Sequence, residues 1–228
     1  YIDWTFFFVA WQMKKLYPDI LEDLNYGEEA KKIFDDANKM LDFIEKNNIV
    51  NIKGIFGIFQ ANSNGDNIEI YNKDRSLATT FNLFREQREK NNGEYLCLSD
   101  FIAPKDSQKE DYLGGFIVTA GLGADEYAKK LETEGDSYNL IMLKLVCDRL
   151  AEAFAEKLHE DIRKNYWGYA PNENLSMKEI FKGSYRGIRP AFGYPSLIDQ
   201  SQMKRLFDIL DGENVTGVKL TESYMMDP

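Results

Sequence analysis

Arg189 lies in Tyr185-Arg-Gly-Ile-Arg-Pro-Ala-Phe-Gly-Tyr-Pro195, a stretch that sets cations among two prolines, two glycines and two tyrosines. The chemistry such a segment suits is holding a ligand rather than making bonds. A guanidinium presents a planar fork of donors to a carboxylate. Pro190 and Pro195 each fix φ at about −65° and withhold a backbone donor, which leaves neighbouring carbonyls open to a ligand. Gly193 lets that backbone be approached closely, and Tyr194 adds an aromatic face with a hydroxyl. The same residue types also suit a stiff surface loop whose arginine caps a helix end.

A second polar grouping is Arg149, Glu152, Glu156, His159 and Arg163, which recur every three or four residues and so share one stripe of a helix, opposite Phe154 and Leu158. Two readings stand side by side. The stripe is either a solvated face laced with ion pairs or a site wall, and the apolar Leu150 and Ala153 beside Glu152 favour a partly buried carboxylate that needs a donor or a cation. His159, the sole histidine of the chain, reads first as a structural residue and second as a proton carrier. Asp3 sits within Tyr-Ile-Asp-Trp-Thr-Phe-Phe-Phe, where it serves either as an N-cap for a helix over Trp4 to Leu16 or as a paired carboxylate. Trp4, Trp11 and Trp167 are core or ligand wall.

Other chemistries find few residues. One histidine and two distant cysteines, Cys97 and Cys147, give neither a metal-ligand spacing nor a catalytic triad. Gly121-Leu-Gly123 lacks the third glycine of a dinucleotide fingerprint, and no Gly-Lys-Ser/Thr phosphate loop occurs. No catalytic residue and no metal ligand is assigned.

The elements that must position these residues follow from periodicity. Tyr26 to Asn47 is an amphipathic helix with Asn25 as its N-cap, and Asp136 to Trp167 is a long helix carrying Leu140, Leu143, Cys147, Ala151, Phe154, Leu158 and Ile162 on one stripe, buried on two sides. Asn64-Gly65 marks a hairpin between Gly54–Phe59 and Asn67–Tyr71. Leu77 to Phe81 is a third strand, Gly114 to Thr119 a buried one, and Thr216 to Thr221 another. Ser176-Met-Lys-Glu179 is a capping box, and Asp199 or Ser201 opens a helix that ends at Leu210. Strands that neighbour one another rather than alternate with helices predict an α+β fold with a largely antiparallel sheet.

Composition fits a soluble domain: 43% hydrophobic and 29% charged over 228 residues, with neither repeat nor low-complexity linker. One large domain is expected. The 28 Lys+Arg against 38 Asp+Glu leave a formal net charge of −10, which repels nucleic acid and anionic membranes. Two unpaired cysteines and no apolar run of about 18 residues predict a cytoplasmic protein. The sequence opens at Tyr1 without methionine and is expected to be a piece of a longer polypeptide, its C-terminal part missing.

Taken in order, Tyr1-Ile-Asp-Trp-Thr5, Phe34-Asp-Asp-Ala-Asn38, Cys97-Leu-Ser-Asp-Phe-Ile-Ala-Pro104, Asp111-Tyr-Leu-Gly114, Asp148-Arg-Leu-Ala-Glu-Ala-Phe-Ala-Glu156, Tyr166-Trp-Gly-Tyr-Ala-Pro-Asn-Glu173, Gly187-Ile-Arg-Pro-Ala191, Gly193-Tyr-Pro195 and Leu220-Thr-Glu-Ser223 cover essentially the whole chain. In them the chain resembles the activation, S-adenosylmethionine-binding domain of cobalamin-dependent methionine synthase. The resemblance implies a C-shaped α+β domain around a twisted antiparallel sheet. It implies that S-adenosylmethionine is bound, and that the domain docks on a cobalamin-binding domain of the same polypeptide once the cofactor is oxidised to cob(II)alamin. One electron from a flavodoxin-type donor and a methyl group from the ligand then restore methylcobalamin. Homocysteine, methyltetrahydrofolate and the parent enzyme's zinc belong to other domains, so this one is not catalytic alone.

Position by position, the resemblance sets Asp3 at the ligand's amino end and Arg189 on its carboxylate, places Glu152 near the site, and lines it with Ala191, Gly193 and Tyr194. The chain departs from the family at Phe6, Gln60 and Phe192, where proline is usual, and in Ser196-Leu-Ile-Asp199, which lacks the usual Cys-Pro and histidine. Phe6, Phe192 and the C-terminal segment expected to be missing motivate an alternative, a corrinoid-protein docking domain whose S-adenosylmethionine binding is weak or lost.

Overall fold

A computed structural model of the chain describes residues 1–89 and 93–227. Two compact units organise them, one of Tyr1–Lys53 with Val118–Arg186, the other of Gly54–Ile117 with Gly187–Pro228. Helices dominate the first unit and a sheet the second, so the α+β class holds. Each unit has its own apolar interior.

The first unit is built on helices α1 (Trp4–Ala10), α2 (Gly27–Asn47), α3 (Ala124–Glu134), α4 (Ser137–Asp161) and α5 (Met177–Phe181). Its core joins Phe7 and Phe8 of α1, Ala30, Ile33, Ala37, Met40 and Ile44 of α2, and Met142, Leu143, Val146 and Cys147 of α4. The three-and-four spacing that predicts α2 is the spacing of its buried face. Its cap differs from expectation: Asn25 does not cap it, and the Asp23 carboxylate instead accepts from the backbone N–H groups of Asn25 and Tyr26, 2.8 and 3.0 Å away. The N-terminal helix is shorter than the Trp4–Leu16 segment expected, because the Met13 N–H turns back to the Phe8 carbonyl and Gln12 takes a left-handed φ of 63°. Trp4 and Trp11 pack against the core, Trp4 edge-on to Phe7 and Phe34.

Helix α4 starts as its spacing predicts, with Asp136 accepting from the Asn139 N–H at 3.1 Å. The buried residues of its first half, Met142, Leu143, Val146 and Cys147, share one face, with Ile141, Lys144 and Asp148 exposed, so the expected burial on two sides is not found; Ala151, Phe154 and Leu158 are half-buried. The helix then widens into a π-turn over Ile162–Tyr166. Helix α3 has no counterpart in the sequence reading, although Ala124, Ala128 and Leu131 carry the helical period.

In the second unit the sheet runs in the order β3-β2-β1-β4, from β1 (Asn51–Asn64), β2 (Asn67–Tyr71), β3 (Leu77–Phe81) and β4 (Asp111–Leu122), the first residues of β1 and the last of β4 falling in the other unit's sequence range. The Asn64-Gly65 signal marks the β1–β2 turn: Asn64 pairs with Asn67, and Gly65 takes φ 60°, a conformation that costs a side-chain-bearing residue. β1 is longer than the Gly54–Phe59 run, and β4 alternates half-buried with exposed residues before burial sets in at Ile117. Two adjoining clusters fill this unit, one around Ala61, Ile68, Ile70 and Phe81, the other around Ile117, Met203, Phe207 and Val218. Asp199 caps the short turn that leads into α6 (Met203–Leu210), as expected. The Thr216–Thr221 strand shrinks to β5 (Lys219–Leu220), paired with β6 (Met226–Asp227), because α7 (Gly212–Thr216) takes up its start.

Candidate functional site

Arg189, Ala191, Gly193 and Tyr194 come together in one loop of the second unit, and Asp3 and Glu152 lie in the first. The loop is set by three backbone hydrogen bonds. Tyr194 N–H donates to the Ala191 carbonyl at 3.2 Å, Leu197 N–H to Tyr194 at 2.8 Å, and Gly193 N–H to Leu197 at 2.9 Å. That closure needs Gly193 at φ 87°, and a Cβ there would stand 3.0 Å from Gln200 Oε1. A further bond, Leu98 N–H to the Ser196 carbonyl at 2.9 Å, ties the loop to the 97–104 segment. Arg189 and Pro190 are half-buried, while Ala191, Gly193 and Tyr194 are exposed. The loop thus presents backbone and one aromatic ring to solvent on a fixed frame.

Asp3 is a half-buried N-cap of α1, its carboxylate accepting from the Thr5 N–H at 2.9 Å. The N-cap role expected of this aspartate is what the structure shows. Two residues earlier, the Tyr1 hydroxyl donates to Glu160 of α4, and that bond pushes the phenol up to about 12.

Glu152 is exposed on α4. The partly buried carboxylate expected beside Leu150 and Ala153 is not found, because those two neighbours are themselves only half-buried and the helix turns Glu152 to water. The stripe from Arg149 to Arg163 is not one environment. Arg149 and Glu156 are half-buried and Glu152 is exposed, whereas its inner end is buried: His159 is 6% exposed and Arg163 0%.

This inner end is the feature that sequence spacing does not reveal. Arg163 forks onto Glu173, its Nε 2.9 and 3.1 Å from the two carboxylate oxygens, and its Nη1 lies 2.7 Å from His159 Nδ1. A guanidinium has only donors, so His159 Nδ1 accepts and the ring keeps its proton on Nε2. The guanidinium also stacks 4.3 Å from the centre of the Tyr185 ring, whose edge-on neighbour is His159. Tyr169, its hydroxyl pushed up by burial, donates to the Arg186 carbonyl at 3.2 Å, and Arg186 donates back to the Tyr169 carbonyl. The structural role of His159 holds. The signal for Glu173 was at hand only as a carboxylate in an aromatic run, Tyr166-Trp-Gly-Tyr-Ala-Pro-Asn-Glu173, where a charge leaving water needs a partner.

Among the described residues no cluster of three or more His, Cys, Asp or Glu side chains could hold a metal ion, and no helix is long and apolar enough to cross a membrane. Cys97 and Cys147 are buried free thiols, and burial pushes the Cys147 thiol up to about 11.

The chain is similar at 49% identity to a crystal structure of the MetH reactivation domain bound to AdoHcy. The superposition gives a TM-score of 0.95 and covers 100% of this chain and 70% of that one. A family profile described as vitamin B12 dependent methionine synthase, activation domain, matches residues 1–228. With the profile spanning the full length and the fold shared throughout, the chain belongs to the family of the methionine synthase activation domain.

Proposed function

We propose that residues 1–228 act as one activation domain, a module that holds S-adenosylmethionine and supplies its methyl group for reductive remethylation of cobalamin. One observation carries the reading: the similarity over the whole chain to a reactivation domain bound to AdoHcy, the demethylated form of that ligand. The loop geometry supports it. Arg189, half-buried on a hydrogen-bonded frame, suits the ligand's carboxylate, and the exposed backbone of Ala191 and Gly193 with the Tyr194 ring suits its remaining length. Asp3 takes the ammonium end, and Glu152, exposed on α4, adds a second negative charge near the site. Charges about 4 Å apart are worth about 4 kcal/mol at an effective dielectric of 20, enough to prefer the charged ligand over an uncharged analogue.

When bound, S-adenosylmethionine supplies an electrophilic methyl group, and the transfer needs no acid or base from the protein. What these residues contribute is position and charge complementarity. On this reading the cobalamin-binding domain of the same polypeptide is the partner, a flavodoxin-type protein supplies the electron, the parent is a cytoplasmic methionine synthase, and its zinc resides in another domain.

Titration calorimetry with S-adenosylmethionine tests the assignment. The wild-type chain is expected to bind, and Arg189→Ala to weaken binding by on the order of 30-fold or more, as when one partner of a charge pair is removed. Absence of heat with the wild type sinks the reading; unchanged affinity in Arg189→Ala sinks the role of that arginine.

A further inference from the structure

We propose that Phe192 is the positioning residue of the ligand loop, a role that rests on the S-adenosylmethionine site proposed above. Of residues 191–194 only Phe192 is not exposed: it is half-buried, and its ring packs against both apolar clusters of the second unit, the one holding Ile68 and Phe81 and the one holding Met203 and Phe207. Ala191, Gly193 and Tyr194, the residues assigned to the ligand, are its immediate neighbours and are exposed. The loop alternates: one side chain goes in, and the backbone and ring on either side go out.

A second apolar anchor lies five positions on. Leu197 is 5% exposed within the first of those clusters, and the Gly193 and Leu197 amides close the segment between the anchors by donating to Leu197 and Tyr194. Gly193 cannot swing through other backbone conformations without breaking its bond to Leu197, so the ring of Phe192 fixes the direction in which Ala191 and Gly193 face. Phe192 itself touches no ligand atom in this scheme. Its effect is preorganisation: without the ring, the loop's ordering cost falls on the binding step.

The test combines S-adenosylmethionine titrations of wild type, Phe192→Ala and Phe192→Leu with hydrogen exchange of the ligand-free proteins. Phe192→Ala is expected to raise the Kd about tenfold and to speed exchange of the Gly193 and Leu197 amides relative to those of the β1–β2 ladder. Phe192→Leu is expected to restore most of both. A wild type that binds and an alanine variant that binds equally well overturn the proposal, as does a raised Kd with both amides unchanged. A wild type that does not bind removes the proposed function instead, while the exchange contrast still decides whether Phe192 anchors the loop. Where Phe192→Ala does not fold, Phe192→Leu carries the decision, and wild-type affinity together with faster exchange at Gly193 then counts against the proposal.

Discussion

Arg163 and Glu173 form a forked ion pair in which both side chains have left water, 0% and 7% exposed. The guanidinium is surrounded on its other sides by His159 Nδ1 and the Tyr185 ring. Such a pair is a weak source of net stability but a costly one to break, because the survivor keeps a buried charge without its counterion.

Arg163→Met is therefore expected to destabilise the chain by about 3–5 kcal/mol, read as a lower denaturant midpoint. Replacing both members, Arg163→Met with Glu173→Leu, is expected to recover most of that loss. A double variant as unstable as the single one would mean that the stacking on Tyr185, rather than the charge balance, is what holds this region.

This pair also marks where the sequence stopped being readable. Periodicity identifies α2 and α4 because a buried face repeats every turn, and Asn64-Gly65 identifies its hairpin because the turn needs a positive φ at Gly65. Spacing says nothing about which side of a polar stripe a fold will bury. Arg149 to Arg163 look alike as letters, and only the partner at Glu173, supplied by a segment that folds back after the π-turn, marks out the end that is buried. The prolines and glycines of Arg189 to Tyr194 made a stiff loop legible, and three backbone hydrogen bonds close it; its ligand is the proposal made above. That Phe192 is the inward anchor was not, since its burial is decided by strands and a helix far away in the chain.

Glu69 gives the pH dependence a specific site. Its carboxylate accepts from Lys105 Nζ at 2.6 Å, from the Tyr71 hydroxyl at 2.7 Å and from Asn64 Nδ2 at 2.8 Å, and these donors, Lys105 foremost, hold it down at about 2 against an ordinary 4.5. A carboxyl depressed by folding contributes stability that is fully present above its unfolded pKa and is lost as pH falls through the folded one. The window is from about pH 5 down to about pH 2. Urea midpoints measured across it are expected to fall more steeply for wild type than for Glu69→Gln, with the two slopes equal above pH 6. Parallel curves throughout would remove Glu69 from the account.

Gly193→Ala places a Cβ 3.0 Å from Gln200 Oε1 at a backbone φ of 87°. The conformation alone costs a non-glycine residue about 1–2 kcal/mol. A lowered melting temperature is expected, together with weaker S-adenosylmethionine binding, since relief of the strain breaks the Gly193–Leu197 bond that closes the loop. A fully stable variant would show that the loop has freedom the hydrogen bonds do not suggest.

Asp3 has two jobs that a pair of substitutions can separate. As N-cap of a 7-residue helix it accepts from the Thr5 N–H at 2.9 Å, and its proposed second task is to face the ligand's ammonium. Asp3→Ala removes both functions and is expected to cost about 1 kcal/mol of stability. Asparagine keeps a capping oxygen and discards the charge, so Asp3→Asn should melt close to wild type. If the charge meets the ammonium, the two variants bind S-adenosylmethionine about tenfold more weakly to a similar extent despite their different stabilities, because a hydrogen bond to a charged group is worth about 1.5–3 kcal/mol. If Asp3→Asn binds as wild type does, the aspartate is a cap alone and its proposed hold on the ammonium falls, which makes Glu152 the next acid to replace.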